Sequence, residues 1–239
     1  MRLWHLPQLA VLASLATSAS IASAQTRSQV YGGRLTQEAQ TFYVRGDEEI
    51  TTYDSKAAAS KETRPSTSLT VGGWAGEART VGVSLTSSDA TVPFSLNNSH
   101  MSTSFRDVRF MARLGWLIPS VGVSLSEVNV SRDGTQTVGL YGTGANAGLA
   151  LAIPVGRLMV FTADAMAVHT GQIYDKLGQG AKLGQRLDGD VSASFDVTDK
   201  LVDLLIGYRY RSYEISSADA KYSEQAQGAY AGLRLGLYF

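Results

Sequence analysis

The 239 residues carry 21 Lys and Arg against 21 Asp and Glu. The resulting zero net charge gives no reason to expect nucleic acid or an anionic surface as a partner. The complete absence of cysteine excludes a disulfide framework and a thiolate metal site. Beyond the N-terminus, no apolar stretch reaches the roughly 20 residues that a membrane helix requires.

The chain begins "MRLWHLPQ", continues through the moderately apolar "LAVLASLATSASIA" and reaches "ASA" before Gln25. A basic start, an apolar run and a small-residue ending make residues 1–24 a secretory signal peptide, with cleavage expected after Ala24. Gln25 stands where a lipoprotein would need Cys, so no lipid anchor is expected. Residues 25–239 are expected to form one domain, exported through the Sec route.

Ten strands follow in chain order, at about 29–46, 65–76, 79–88, 103–117, 120–130, 137–154, 157–172, 185–197, 201–215 and 226–239. Most alternate apolar and polar residues with the period of two that a strand imposes. Val108, Phe110, Ala112, Leu114 and Trp116 form one such row, and Val202, Leu204, Ile206, Tyr208 and Tyr210 another. The second and third strands are short and rich in Gly and Thr, which leaves eight strands as an alternative count. Parity slips at Trp74 and again between Leu125 and Val128, as a bulge or a strand end standing above a bilayer would produce.

The connections alternate in length. "GEAR" (76–79), "IPS" (118–120), "PVGR" (154–157) and "VTDK" (197–200) read as tight turns, and between them fall polar stretches at 47–64, 88–102, 173–184 and 216–225. "SRDGTQ" at 131–136 is the short exception. Short turns at one end and longer loops at the other are the pattern of a transmembrane barrel. The final strand ends on Phe239, preceded at alternate positions by Leu237, Leu235 and Leu233.

That terminal pattern, with the signal peptide and the ten alternating segments, resembles bacterial outer-membrane β-barrels of the small opacity and OmpA-like superfamily. The resemblance implies that Leu233, Leu235, Leu237 and Phe239 are read by the barrel-assembly machinery. It further implies outer-membrane lipid and lipopolysaccharide as surroundings, and both termini on the periplasmic side. The expected fold is all-β, a closed antiparallel up-and-down barrel. A soluble secreted β-sandwich is the competing fold.

A spanning sheet must close, because lipid cannot satisfy an open edge. Aromatics are expected where lipid meets water. Tyr31, Trp116, Phe161, Phe195 and Phe239 fall near the turn ends, and Tyr43, Tyr141 and Tyr210 nearer the loop ends. The rows opposite the apolar ones face the lumen and carry Arg34, Glu38, Arg109, Arg113, Asp164, Asp188, Asp190, Asp203, Arg209, Arg211 and Arg234. A barrel of eight strands is already filled by side chains, whereas wide channels need about 16. Buried charges of opposite sign should therefore pair into a plug, since an unpaired one costs several kcal/mol. A narrow channel for small ions or solutes is the alternative.

Chemistry is sparse. Omptin proteases, also ten-stranded, act with paired Asp and an Asp–His pair at the rim. His169 near Asp175 is the nearest approach, while Asp89 and Asp107 stand isolated in sequence. Lipid A deacylases use His-x-Ser; "SHMS" offers His100 and Ser102, without a carboxylate at the required spacing. There is no G-x-S-x-G, H-E-x-x-H or P-loop pattern. The acidic "DEE" at 47–49 reads as a solvated loop. No catalytic residue, cofactor or metal is expected. The expected role is structural, or surface contact and adhesion through outer loops whose ligand the sequence does not name.

Overall fold

The computed structural model describes residues 42–237, apart from 56–59, 76–79, 95–97, 157, 179, 199–200 and 217–220. The signal peptide, Tyr31, Arg34, Glu38 and Phe239 lie outside the described residues. The strands are β1 (Phe42–Ser55), β2 (Ser60–Ala75), β3 (Val81–Phe94), β4 (Ser99–Ala112) and β5 (Leu117–Arg132). They continue with β6 (Thr135–Val155), β7 (Met159–Asp175), β8 (Lys182–Asp196), β9 (Val202–Ser216) and β10 (Lys221–Leu237). Each pairs antiparallel with its chain neighbours, and β1 pairs with β10, so the sheet closes. Closure leaves no sheet edge to be satisfied by lipid. The count is ten because β2 and β3, with 16 and 14 residues, are full-length strands.

Strand limits correct the reading of the connections. Stretches 47–64, 88–102, 173–184 and 216–225 are mostly continuations of strands, joined across 56–59, 95–98, 176–181 and 217–220. Both ends of the barrel therefore have short connections. The hairpin between β5 and β6 turns on Asp133 and Gly134, both at positive φ (49° and 77°). That pair matches the type I′ turn whose twist suits a two-residue hairpin.

What distinguishes the two ends is the chemistry of the wall. Below, toward 76–79 and 113–116, the outer face carries Val83, Leu85, Phe110, Trp116, Val121, Val123, Ile206, Leu233 and Leu235, all exposed. On β5 this belt runs from Leu117 to Leu125, and about 9–11 tilted residues suffice to cross a bilayer. Above it the outer face of β2 to β4 turns polar, with Lys61, Thr63, Asp89, Thr91, His100, Ser102 and Arg106. The inner face changes in the opposite sense. Phe105, Val128, Leu140, Leu183, Tyr213 and Ile215 are buried together in the upper half, beside a second group of Tyr53, Val92, Met101 and Val130.

This inversion explains the parity slip on β5. Pairing of β5 with β4 is unbroken, so Val128 and Val130 do not change face. They keep the inward parity of Ser124 and Ser126, and the surrounding medium changes instead. In lipid the apolar row must face outward; above lipid, water favours the apolar row inside. Trp74 also points inward without a break in register, but at the turn end, where it is buried beside Tyr43, Ile118 and Met111.

The outer aromatics follow the belt. Trp116 and Phe161 are exposed near its lower margin, with Phe195 on the same face, and Tyr141 is exposed near the upper one. Tyr210 takes the outward parity of β9, beside the exposed Tyr208. Tyr43 is a correction: it is buried at the turn end, inside the barrel, because β1 begins at Phe42 and runs upward from there. A tryptophan test follows. In refolded residues 25–239, brominated lipids should quench Trp116, so Trp116→Phe removes most of the quenching and Trp74→Phe leaves it intact.

Bulges interrupt β5/β6 at Val130/Ser131, β6/β7 at Thr143/Gly144 and β8/β9 between Leu183 and Arg186. The first and third lie in the upper half, where register is no longer held by a lipid-facing row, and the one at Thr143/Gly144 lies at the upper edge of the belt, opposite Leu125 and Ser124. Two seams also open there. Pairing of β2 with β3 stops at Thr67↔Asp89, and that of β7 with β8 at Val168↔Arg186.

Candidate functional site in the barrel lumen

The lumen is built in layers. At the turn end Tyr43, Trp74, Ile118, Ala150, Ala152 and Val160 form an apolar floor, with Met111 packed on it. The apolar groups of the upper half form a ceiling. Between them lies a layer of charge in which every arginine is held by carboxylates from other strands or by a close neighbour on its own.

On one side of this layer Arg209 reaches Asp47 (3.0 Å), Glu49 (3.4 Å) and Asp190 (3.3 Å). Arg45 bonds Asp47 at 3.0 Å and lies 3.7 Å from Asp190, whose other oxygen accepts from the Tyr230 hydroxyl at 2.8 Å. On the other side Arg186 pairs with Asp107 and, at 3.1 Å, with Asp188; Arg211 holds Asp188 at 2.9 Å and donates to the Ser88 hydroxyl at 2.7 Å. Asp107 also accepts from Ser124, which in turn accepts from Asn146. Lower down, Arg109 forms a two-pronged pair with Asp164 and donates to Ser120. The planar guanidinium fork suits such multiple carboxylate contacts.

Aromatic rings tie the charged layer to the apolar ones. The guanidinium carbons of Arg186 and Arg211 lie 4.7 and 4.5 Å from the Phe105 ring centre, and Phe105 meets Tyr213 edge-on at 5.5 Å. Three other inward rings share one construction. Tyr43, Trp74 and Tyr230 each stand directly across from a glycine, Gly72, Gly82 and Gly207 respectively. A Cβ at any of these glycines would lie within 2.5–2.8 Å of the ring, so the missing side chain is what lets each ring lie flat on the wall. Each ring also meets an arginine: Arg234 on Tyr43, Arg113 on Trp74, Arg45 and Arg209 on Tyr230. Cation–π attraction strengthens when the cation is desolvated.

Of the charges expected in the lumen, Arg109, Asp164, Asp188, Asp190, Arg209 and Arg211 lie in the layer. Asp203 and Arg234 are buried near the floor as cross-strand partners, and Arg113 sits just past the end of β4, against Trp74. The sequence reading missed Arg45, Asp47, Glu49, Asp107 and Arg186. Asp107 shares the parity of Arg109 on β4, and Arg186 that of Asp188 on β8, so parity alone could have found them. The acidic 47–49 stretch is part of β1 rather than a loop, and it alternates Asp47 and Glu49 inward with Glu48 outward.

The residues weighed for chemistry are dispersed. His100 and Ser102 share the outer face of β4, His169 is exposed on β7 and Asp107 is buried in the lumen. Asp175 accepts from the backbone N–H groups of Leu177 and Ala181 and so closes the 176–181 turn. A cavity of about 170 Å³ lies within the lumen, lined by Arg45, Arg109, Asp164, Asp190, Arg209 and Trp74 among others.

No family model and no curated protein matches the sequence. Solved structures of similar shape include Neisserial surface protein A, with 15% identity over 82% of this chain and 97% of that chain, at a TM-score of 0.42. The outer membrane protease OmpT from Escherichia coli has 8% identity over 83% and 94%, at 0.49. The attachment invasion locus protein Ail of Yersinia pestis has 9% identity over 81% and 97%, at 0.36. The likeness is one of barrel shape.

Proposed function

We propose that this chain is a bacterial outer-membrane β-barrel whose lumen does not conduct, and that it acts through the polar collar standing above the lipid, in surface contact or in maintaining the envelope. One observation carries the reading: directly above the charged layer the lumen is filled by Phe105, Val128, Leu140, Leu183, Tyr213 and Ile215, each at most 3% exposed. A hydrated ion meeting this layer would lose water and gain no polar partner, which costs several kcal/mol. The charges beneath already satisfy one another and so offer a permeating ion little. The same arrangement suits a mechanical role, since cross-strand arginine pairs join strands remote in sequence, such as β1 to β9 through Asp47 and Arg209. We assign the lower end, where β1 starts at Phe42 and β10 ends at Leu237, to the periplasmic side.

A narrow channel for small ions is the second reading, favoured by the 170 Å³ cavity among charges. Refolded residues 25–239, shown to be folded by heat-modifiable migration on a gel, should be silent in a planar bilayer. The Phe105→Ala, Leu140→Ala double variant should then show intermittent currents. Steady unitary currents from the unmodified protein, altered on neutralising Arg209 or Asp190, would replace the plug with a channel.

A further inference from the structure

Two charges on the outer wall are at odds with the surface around them. Glu48 faces outward on β1 and is exposed. Gly46 stands below it, Ile50 above it at 69% exposure, and Ala231 directly across on β10. Arg106 faces outward on β4, across from Leu125, on which the belt of β5 ends. The two stand at matching heights, six residues in from Phe42 and six from Ala112, the lower ends of their strands. Six residues in, β5, β6, β7, β9 and β10 carry Val123, Leu149, Ala165, Tyr208 and Ala231. Among the described residues neither Glu48 nor Arg106 forms an ion pair. Glu127, just above Leu125, is held by Lys176 at 2.6 Å and by Asn129 at 3.1 Å.

A charge on the lipid-facing side of a barrel is unfavourable according to its depth, and an ionisable residue so placed points to a partner. Glu48 and Arg106 are of opposite sign, and their placement suits a two-fold axis. One is on the strand before β2 and the other on the strand after β3, so the β2/β3 boundary lies midway between them. An axis along the membrane normal, standing in front of that boundary, preserves height and sets β1 of one copy against β4 of the other. Each contact then occurs twice, as in any isologous interface. With strands about 4.8 Å apart, each charge lies about 7 Å from the centre line. Between the charges come Thr67, across from Glu48, and Ser87, across from Arg106. Their hydroxyls both donate and accept, and so can meet their own kind.

We propose that the outer face of β1 to β4 pairs two copies of this chain side by side in the membrane, with Glu48 of each copy against Arg106 of the other. Val83 and Leu85, both exposed, supply the apolar part of the contact below the charged row. The contact goes beyond the sealed lumen and needs only that the outer face meet lipid, so it stands or falls separately from conduction.

The natural lack of cysteine makes single thiols a clean probe. Refolded residues 25–239 carrying Glu48→Cys are mixed with those carrying Arg106→Cys, placed in lipid vesicles and treated with a short bismaleimide. All variants are first shown to be folded by heat-modifiable migration. The mixed pair keeps one of its two ion pairs, whereas two copies of the same variant keep none. The mixture should therefore give about tenfold more cross-linked dimer than either variant alone, or than Glu48→Cys mixed with Ala165→Cys on the far wall. Energy transfer between copies labelled at Ser223→Cys reads the charges themselves. Glu48→Arg or Arg106→Glu alone should lower it, because like charges then face one another, and the two reversals together should restore it. A mixture that cross-links no more than its controls, or a double reversal no better than the single ones, would overturn the pairing.

Discussion

Replacing Arg186 with Met should destabilise the barrel by about 3–5 kcal/mol, the range expected when one partner of a buried ion pair is removed. Arg186 is 1% exposed, and its loss strands Asp107, which is 4% exposed and retains the Ser124 hydroxyl as donor. Asp188 suffers less, because Arg211 still holds it. The damage should therefore be specific to one carboxylate. Adding Asp107→Asn removes the stranded charge and keeps an acceptor for Ser124, so the double variant should recover most of the loss. Tryptophan-monitored guanidinium unfolding in micelles reads both. A single variant costing less than about 1 kcal/mol, as an exposed pair would, contradicts the role assigned to the pair. So does a double variant no better than the single.

Gly122→Ala should be more damaging still, at about 4 kcal/mol or more, in the range reserved for named structural faults. A Cβ there would stand 1.9 Å from the Val108 carbonyl oxygen, to which the Asn146 amide also donates. The obstacle is backbone of the neighbouring strand, which cannot turn aside as a side chain can. Gly46 is the control. It lies on the outer face of β1, nothing would stand within 4 Å of its Cβ, and Gly46→Ala should be neutral or slightly stabilising, since glycine weakens a strand interior. Comparing refolding yield and unfolding midpoint for the two variants separates a packing fault from a general effect of adding a methyl group. Equal behaviour would remove the close approach of β4 and β5 as a constraint.

Much of this was legible in the chain. Period-two alternation determined that strands would form, and outward rows such as Val108–Phe110–Ala112 determined which face meets lipid, because a strand offers two faces and lipid accepts one. The same alternation placed Arg109, Asp164, Asp188 and Arg209 inside. The tertiary structure decided what parity cannot express. Residues 47–55 and 60–64 read as loop because their outer faces are polar, yet they are strand standing above the lipid, where alternation loses its lipid-facing row. Val128 seemed to slip in register because an apolar residue was assumed to face outward. Whether it does depends on its height relative to the bilayer, which emerges only when ten strands are set side by side. The pairing of Asp47 with Arg209, and the seating of Tyr230 on Gly207, depend likewise on register between strands and on closure of the barrel. Neither is a property of any segment of sequence taken alone.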